Sequence, residues 1–409
     1  MVPEGWKKVP LKTIAEVRSG VAKGKSGLKD PITVQYLRVA NVQDGHINLN
    51  DVKDIQIERH QLERYSLKFG DVLMNEGGDF DKLGRGDVWQ AQIKPCLHQN
   101  HVFAVRPIPQ EMDSFYLAAL AASSYGKKYF LSCAKRSTNL ASINSTQLKE
   151  FPVLVPPLPE QKKIAKILSA WDKAIATSEQ LLANSQQQKK ALMQQLLNGH
   201  TRLPGFSDRW MGGVLGDIAT IDSGFTFKSN TFINTDNGIP VIRMNNLKNG
   251  RLDISDSVKI SPEITKGLEK FSLLENDFLF GMSGSLNNYA WVTAKDLPCY
   301  LNQRVGRITA KNNHDQTFLT YLYLSDKVQK SILDKAEGAA QLNISINELR
   351  ETPINYPAPK EQKKIAEILL SADNHITKLQ QKLYYLKQEK KALMQQLLTG
   401  KRRVKVDAA

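Results

Sequence analysis

The sequence predicts an α+β protein in which two mixed α/β domains, related by a pseudo-twofold axis, are separated by an antiparallel pair of long coiled-coil helices. An internal duplication carries this prediction. Residues 160–199 and 361–400 both begin EQKKIA and end KKALMQQLL-x-G, at a constant offset of 201 residues with 23 of 40 positions identical. The segments that precede them also match in outline. The chain is therefore a domain followed by a helix, twice.

The repeated segments predict the two helices. In the second copy, residues at alternating steps of four and three from Ile365 to Leu397 are mostly apolar, which is the spacing of a coiled-coil seam. The first copy keeps this spacing but is less apolar in its middle. Lys189 and Lys390 occupy seam positions, where we expect them to reach the edge of the seam or to fix its register. Gly199 and Gly400 suit the C-terminal end of a helix.

Inside each domain, short apolar runs bounded by Gly, Asn and Asp predict strands. Ser114 to Ser132 and Gln316 to Leu333 each predict an amphipathic helix. Prolines after the last strand of each domain set the first turn of the long helix. The predicted boundaries are 1–157 for the first domain, 158–200 for the central helix, 201–357 for the second domain, 358–400 for the C-terminal helix and 401–409 for a basic tail.

Composition points to an acidic partner. The 409 residues carry a formal net charge of +15 and a pI of about 9.5, so nucleic acid is the first expectation and an anionic membrane surface the rival. The sequence has no long apolar run and no signal-peptide core, so we expect a cytoplasmic protein without a membrane role. The three cysteines show no paired spacing that would indicate disulfides.

Catalytic and cofactor motifs fail in this sequence. Gly24–Ser26 lacks the glycine that a phosphate loop needs five positions earlier, where Ser19 stands. Pro156-Pro157 is flanked by Val155 and Leu158, whereas an adenine methyltransferase needs an Asn or Asp and an aromatic residue there. We therefore expect no catalysis by this chain.

A zinc site is also disfavoured. Cys96, His98 and His101 lie within six residues of each other, but a structural zinc site needs four ligands. The corresponding part of the second domain holds one cysteine and no histidine.

Polar residues near the ends of the predicted strands favour contacts with DNA. Arginine reads guanine and Asn or Gln reads adenine through paired hydrogen bonds, whereas Lys, Ser and Thr suit phosphates. The competing interpretation is that these Asn, Gly and Ser residues only form turns. An alignment without gaps places Gln99 opposite Gln303. The predicted DNA-contacting residues are Lys25, Arg38, Asn41, Asn75, Glu76, Lys82, Arg85, Gln99, Arg136, Asn139, Lys228, Arg243, Asn246, Ser283, Ser285, Asn287, Gln303, Arg304, Gln341 and Asn343.

The end of each long helix carries an apolar stripe wider than a two-helix seam requires. Met193, Leu197, Met394 and Leu398 are therefore the predicted partner-binding residues. The alternative is that these side chains pack against their own domain. The tail KRRVK at 401–405 predicts a solvated end, with phosphate contact as the alternative.

Two variable domains, each closing with a proline-containing turn, EQKKIA and a long helix ending KKALMQQLL-x-G, resemble a Type I restriction–modification DNA specificity subunit. The resemblance covers essentially the whole chain. It implies two target-recognition domains at the ends of an antiparallel helix pair, each reading one half of a bipartite site in double-stranded DNA. The helix pair would set the unread spacer and dock the partner subunits.

The resemblance also implies partners. A non-catalytic chain without a cofactor of its own would hold two methyltransferase subunits, which use S-adenosylmethionine. The full complex would add two restriction subunits that use ATP with Mg²⁺. The alternative function is a free-standing sequence-specific DNA-binding or regulatory protein without enzyme partners, which the sequence does not separate from the first.

Overall fold

The computed structural model describes residues 2–23, 27–78, 80, 83–84, 86–136, 140–284, 286–336 and 342–406, with only the backbone of Arg136. Met1–Gln180 and Gln381–Ala409 form a first compact unit, and Leu181–Gln380 form a second. Each unit thus contains one α/β domain and one half of each long helix.

The first domain and the helix that follows it contain fourteen labelled strands and five labelled α-helices within the described residues. The strands are β1 (Lys7–Pro10), β2 (Ala15–Ser19), β3 (Pro31–Leu37), β4 (Val42–Gln43), β5 (His46–Ile47), β6 (Lys53–Glu58), β7 (Val72–Asn75), β8 (Gly77–Gly78), β9 (Gly86–Val88), β10 (Cys96–His98), β11 (Val102–Pro107), β12 (Lys135–Arg136), β13 (Ala141–Ser142) and β14 (Pro152–Val155). The helices are α1 (Leu62–Tyr65), α2 (Ser114–Ala122), α3 (Ser124–Cys133), α4 (Ser145–Lys149) and the long α5 (Leu158–Leu196).

The second domain has a related but not identical order, with twelve labelled strands and, with the helix that follows it, five labelled α-helices within the described residues. Its strands are β15 (Met211–Val214), β16 (Ala219–Ser223), β17 (Phe232–Ile233), β18 (Ile239–Ile242), β19 (Leu247–Lys248), β20 (Gly250–Leu252), β21 (Val258–Ile260), β22 (Phe278–Gly281), β23 (Tyr289–Trp291), β24 (Tyr300–Leu301), β25 (Val305–Ala310) and β26 (Pro353–Tyr356). Its helices are α6 (Leu215–Ile218), α7 (Gln316–Tyr323), α8 (Asp326–Ala336), α9 (Ile346–Arg350) and the long α10 (Pro359–Leu397).

In the first unit the central sheet has the order β2-β11-β7-β9, and its strands run antiparallel. Its two middle strands are buried on both faces. Met74 and Phe103 face a core that includes α2, whereas Leu73 and Ala104 face a second core around Trp89. Because alternate residues of a strand point to opposite faces, these strands are continuous apolar runs. A second sheet, β10-β3-β6, pairs β10 parallel to β3.

The second unit has the equivalent middle strands β22 and β25 in the sheet β16-β25-β22-β23-β20-β19. Phe278 and Phe280 face a core that includes Phe318 of α7. Leu279 faces a separate core around Cys299. The sheet β17-β21-β18-β24 again pairs its last strand, β24, parallel to β18.

The long helices run antiparallel within each unit. In the first unit, Ile164 near the start of α5 shares a core with Leu397 at the end of α10. Farther along, Lys387 Nζ lies 2.7 Å from Glu179 Oε1. Residue numbers therefore rise along one helix as they fall along the other. This confirms the predicted antiparallel helix pair inside the first unit.

The second unit shows the same direction with the roles of the helices exchanged. Leu196 of α5 shares a core with Ile365 of α10. Lys189 Nζ lies 2.6 Å from Asp373 Oδ1, and the Tyr321 hydroxyl donates to the same carboxylate. The other seam lysine, Lys390, pairs with Asp172 inside the first unit. Both seam lysines thus have an acidic partner on the opposite helix.

The Glu-Gln pair that opens EQKKIA explains why this motif recurs. Gln161 is fully buried, and its side chain accepts from Asp113 N at 2.8 Å and donates to Pro156 O at 2.9 Å. Glu160, also buried, accepts from Arg403 through Nε and Nη2 at 2.7 and 2.8 Å. The basic tail is therefore held in the first unit at Arg403, where the sequence predicted a solvated end.

The same arrangement holds in the second unit. Glu361 accepts from Arg202 at 2.9 and 2.7 Å, and Gln362 accepts from Asp315 N at 3.1 Å. Arg202 and Arg403 both lie three residues after the glycine that ends a long helix, with φ of +74° at Gly199 and +69° for its counterpart. Each glycine lets the chain turn back toward the start of the opposite helix.

The prediction of one continuous helix from Ser114 to Ser132 was wrong. The structure breaks it into α2 and α3 at Ser123, whose Oγ accepts from Gly126 N and begins the second helix. The predicted helix from Gln316 to Leu333 breaks in the same way at Ser325, whose Oγ accepts from Val328 N. A serine within an apolar pattern can cap a new helix as well as continue an old one.

Candidate nucleic-acid interface

Backbone hydrogen bonds establish which residues of the two domains are equivalent. Glu76 N donates to His101 O at 3.0 Å, and Met282 N donates to Arg304 O at 3.1 Å. Ile143 N donates to Glu76 O, and Ile344 N donates to Met282 O. His101 and Arg304 therefore occupy the same structural position, as do Glu76 and Met282.

These bonds correct the sequence alignment of this segment. Gln99 N donates to Leu37 O, and the equivalent bond in the second domain comes from Asn302 N. Gln99 is therefore equivalent to Asn302 and not to Gln303. The gapless alignment was wrong by one residue because short strands with similar side chains carry too little information to fix their register.

A glycine in each domain allows the chain to approach this segment closely. A Cβ at Gly20 would lie 2.1 Å from His98 O, and a Cβ at Gly224 would lie 2.1 Å from Leu301 O. No side chain fits at such distances. Gly20 is followed by Val21, whose N–H donates to His98 O at 2.8 Å. The backbone contact fixes the loop that carries the predicted residue Gln99.

The second domain has a cleft of about 660 Å³ that is lined by Asn302 and Arg304 of the equivalent loop, and we name it the second strand-end cleft. Its described lining contains four cationic side chains and no acidic one. Arg304 is exposed at its edge, and Arg243 is half-buried with a buried Nε that lacks a partner among the described residues. The lining residues are Arg243, Met244, Asn245, Leu247, Lys248, Asn249, Arg251, Ser283, Gly284, Asn288, Asn302 and Arg304.

The first domain has a cleft of about 600 Å³ at the equivalent place, which we name the first strand-end cleft. Its charged groups differ from those of the second. His101 Nδ1 lies 2.6 Å from Glu76 Oε2, and because a carboxylate only accepts, this imidazole nitrogen donates. The lining residues are Val39, Glu76, Gly77, Gly78, His101, Lys135, Leu140, Ala141 and Ser142.

Arg38, the counterpart of Arg243, lines a further cleft of about 670 Å³ with Lys23, Tyr36 and Lys53. Arg38 Nη2 donates to Asp51 Oδ2 at 2.8 Å. Hydrogen bonds from Lys53 and Arg38 hold the pKa of Asp51 below its usual range, so this carboxylate stays ionised near neutral pH. Like Arg243, Arg38 has a buried Nε that lacks a partner among the described residues.

Three predicted DNA-contacting asparagines are buried and used within the fold. Asn41 accepts from Arg38 N at 2.8 Å and donates to Asn48 O at 2.9 Å. Asn246 makes the same bonds in the second domain, accepting from Arg243 N and donating to Asp253 O at 2.8 Å. Asn75 has no exposed surface and donates to Val42 O at 2.9 Å. The prediction that they read bases is therefore corrected: the amides of Asn41 and Asn246 close turns, and that of Asn75 joins β7 to the backbone of Val42.

Apart from Arg38, the remaining predicted residues fall into four groups. The strand-end clefts are lined by Glu76, Arg243, Ser283 and Arg304. Exposed positions outside these linings are occupied by Lys228, Asn287, Gln303 and Asn343, and Gln99 is half-buried. Lys25, Lys82, Arg85, Asn139, Ser285, Gln341 and the side chain of Arg136 lie outside the described residues. The sequence reading missed Lys23, Lys53, His101, Lys135, Lys248, Arg251 and Asn302, although basic residues beside turns were the available signal.

Cys96 and His98 are buried in the first domain. Burial raises the pKa of the Cys96 thiol to about 12 and lowers the pKa of His98 to about 4. His98 Nδ1 donates to Val102 O at 2.6 Å, so the ring is used by the fold. Among the described residues, no group of three or more His, Cys, Asp or Glu could hold a metal ion.

Two further equivalent clefts lie at the ends of the long helices, and we name them the helix-end clefts. One, of about 890 Å³, is lined by Lys391 and Met394 together with residues of α3. The other, of about 500 Å³, is lined by Lys190 and Met193 together with the start of α8. The predicted partner-binding methionines therefore line open surfaces.

Of the predicted partner-binding leucines, Leu197 also lines the smaller helix-end cleft, whereas Leu398 lines neither cleft. Leu197 is 5% exposed and Leu398 is fully buried, each in the core of its own unit. The prediction of a partner contact is corrected for Leu398, because packing against its own domain accounts for it, whereas for Leu197 it stays a prediction. In the part of the chain that the structure describes, no helix is long and apolar enough to cross a membrane.

Comparison with known proteins identifies the family. The Type I restriction modification DNA specificity domain matches the chain twice, over residues 3–184 and 207–388. The MjaX specificity subunit of Methanocaldococcus jannaschii is 26% identical over 417 aligned positions, which cover 99% of this chain and 95% of the relative. The type I restriction enzyme MjaVIII specificity subunit of the same organism is 29% identical over 309 positions, covering 72% of this chain and 71% of the relative.

Solved structures agree on the fold. The crystal structure of the Type-I restriction-modification system S subunit from M. genitalium matches with a TM-score of 0.58 at 15% identity, covering 97% of this chain and 99% of that one. The twofold domain match, the relatives and the shared fold lead to one conclusion: the chain belongs to the Type I restriction–modification DNA specificity family and is a specificity subunit with two target-recognition domains.

Proposed function

We propose that each target-recognition domain reads one half of a bipartite site in double-stranded DNA through its strand-end cleft. The observation that carries the proposal is that two clefts at equivalent positions of the duplicated fold are both lined in part by charged side chains. Four cations in the second cleft match the phosphate charge of DNA, whose neutralisation supplies much of the affinity. The net charge of +15 fits the same partner.

In this proposal the chain performs no catalysis of its own. The failed methyltransferase motif supports it, because Val155 and Leu158 stand where an amide or carboxylate and an aromatic ring are needed. Methyl transfer from S-adenosylmethionine and ATP-dependent restriction with Mg²⁺ are assigned to partner subunits in the cytoplasm.

The helix-end clefts are the proposed docking sites for two methyltransferase subunits, and the full complex would add two restriction subunits. Duplication supports the number two, because both clefts combine a methionine with a lysine from the same repeat. Methionine adapts to irregular apolar surfaces, which suits it to an interface. The lysines Lys190 and Lys391 favour an acidic rim on the partner.

Methylation-aware sequencing tests the DNA part of the proposal. The chain is combined with its methyltransferase subunit and a random DNA library, and methylated sites are mapped. We expect one bipartite sequence with a fixed unread gap, and no methylation by the chain alone. Methylation by the chain alone, or a single continuous site, would contradict the proposal.

Charge introduced into the helix-end clefts tests the partner part. Met193→Glu and Met394→Glu should each remove one methyltransferase subunit from the assembly, as measured by mass photometry, while DNA binding by the chain persists. Leu370→Glu is the matched control, since Leu370 is an exposed leucine of α10 that lines neither cleft. Normal assembly in both methionine variants would exclude these docking sites.

A further inference from the structure

The duplicated fold allows the two strand-end clefts to be compared position by position. The backbone hydrogen bonds are equivalent at the compared positions, so the side chains at these positions can be compared directly. Arg38 and Arg243 are the same residue at the same position, and each starts a turn closed by a buried asparagine. The positions of Glu76 and His101 hold Met282 and Arg304 in the second domain.

A residue that is the same in both domains cannot explain how two domains read different half-sites. Shared arginines therefore suit contacts with phosphates, which carry no sequence information. Residues that differ at one structural position are the ones that can discriminate bases. Among the charged residues of the first cleft, Glu76 and His101 are replaced in the second, and their side chains are 31% and 57% exposed.

The first cleft presents an oriented acceptor. The His101 ring donates from Nδ1 to Glu76 Oε2, and this bond fixes the carboxylate against the imidazole. A carboxylate accepts about four hydrogen bonds, so the bond from His101 leaves acceptor capacity. In the major groove a carboxylate accepts from an amino group, above all that of cytosine N4.

The second cleft presents donors. Met282, at the position of Glu76, is 9% exposed. Its thioether sulfur is only a weak hydrogen-bond acceptor. Arg304 is exposed, and three further cationic side chains line the same cleft. A guanidinium offers only donors, in the fork that matches guanine O6 and N7.

We propose that Glu76 with His101, and Arg304, are specificity-determining residues of the two half-sites. The first cleft selects an amino-bearing base, cytosine in preference to adenine, at the position that Glu76 contacts. The second selects guanine at the position that Arg304 contacts. Arg243 in the second strand-end cleft and Arg38 in the further cleft of the first domain contact phosphates. This inference rests on the proposed function, since it assumes that the strand-end clefts face the DNA bases.

The experiment maps methylation by the full chain with its methyltransferase subunit on a random DNA library. Arg304→Ala should relax one guanine of the second half-site, with a loss of preference of about tenfold to a hundredfold, and should leave the first half-site unchanged. Glu76→Gln keeps the size of the side chain and should relax one position of the first half-site. Arg243→Ala should weaken methylation evenly across sequences without changing any preference.

A double substitution tests the inference in the opposite direction, by introducing residue types of the first cleft into the second. Met282→Glu with Arg304→His builds the chemistry of the first cleft in the second, and should replace guanine by cytosine or adenine at that one position. If the double variant does not fold, judged by its thermal transition, Arg304→Ala and Glu76→Gln alone decide.

The outcomes separate this inference from the proposed function. If the wild-type complex methylates no bipartite site, the proposed function fails. If the wild type reads a bipartite site but Arg304→Ala and Glu76→Gln lower methylation equally at all sequences, these residues do not discriminate bases and the inference is overturned. A change in both half-sites from either variant would overturn it as well.

Discussion

Substituting Gly20 by alanine tests how the fold positions the first strand-end cleft. The added Cβ would lie 2.1 Å from His98 O and 2.5 Å from Gln99 O, closer than the 3.0 Å below which real Cβ contacts essentially never occur. The loop at 98–101 must therefore move by about 1 Å. That movement breaks or lengthens two backbone hydrogen bonds, from Val21 N to His98 O at 2.8 Å and from Asn100 N to Val21 O at 3.0 Å.

The expected cost follows from those two bonds. At about 1 kcal/mol for each bond, with an added penalty for buried groups left unpaired, Gly20→Ala should lower the free energy of unfolding of the first unit by about 2–3 kcal/mol. For a unit of this size, that is a fall in melting temperature of roughly 4–12 °C. The displaced loop carries His101, so recognition of the first half-site should weaken while the second half-site is kept.

Calorimetry and methylation mapping measure the two effects. Gly212→Ala is the matched control, because its Cβ would meet only Asn355 Oδ1 at 3.5 Å, an ordinary contact. Gly224→Ala is the internal counterpart and should affect the second half-site alone. An alanine variant at Gly20 that melts and methylates like the wild type would refute the argument that this close approach positions the cleft.

Three further predictions concern pH, the tail and the helices. Burial lowers the pKa of His98 to about 4, so the stability that neutral His98 allows above pH 6.5 should be lost as the pH falls toward 4. His98→Leu, which introduces the residue type found at the equivalent position 301, should remove that part of the pH dependence of urea unfolding. An unchanged pH profile in this variant would contradict the prediction. Arg403→Ala should lower the melting temperature of the first unit as much as removal of residues 401–409, whereas an unaffected melting temperature would assign the tail to solvent. Inserting a heptad near Ser178 and Leu379 lengthens each helix by about 10 Å and should widen the unread gap by about 3 bp, so methylation at the original spacing would exclude the helices as its determinant.

The sequence predicted the duplication and the helix pair because both leave periodic signals. A 3.5-residue period over many turns has few alternative explanations, and the antiparallel direction is seen within each unit through pairs such as Lys189 with Asp373. The break at Ser123 could not be predicted, because a serine fits both a continuous amphipathic pattern and a new cap.

The candidate site was predicted less completely, for a physical reason. Asn41 and Asn246 have the residue type of base readers, but asparagine also closes turns, and only burial separates the two roles. His101 was considered for zinc alone, since its partner Glu76 lies 25 residues away and is brought to it by the sheet. Equivalence with Arg304 required the backbone hydrogen bonds, which an alignment of short strands does not contain.

The most direct test of the account is an exchange of one domain. Residues 20–150 are replaced by the corresponding segment of another specificity subunit, and methylation by the chimera with its methyltransferase subunit is mapped on a random library. The account predicts that one half-site is replaced and that the other half-site is retained. A simultaneous change in both half-sites, or the retention of both, would contradict the claim that each domain reads its own half of the DNA site.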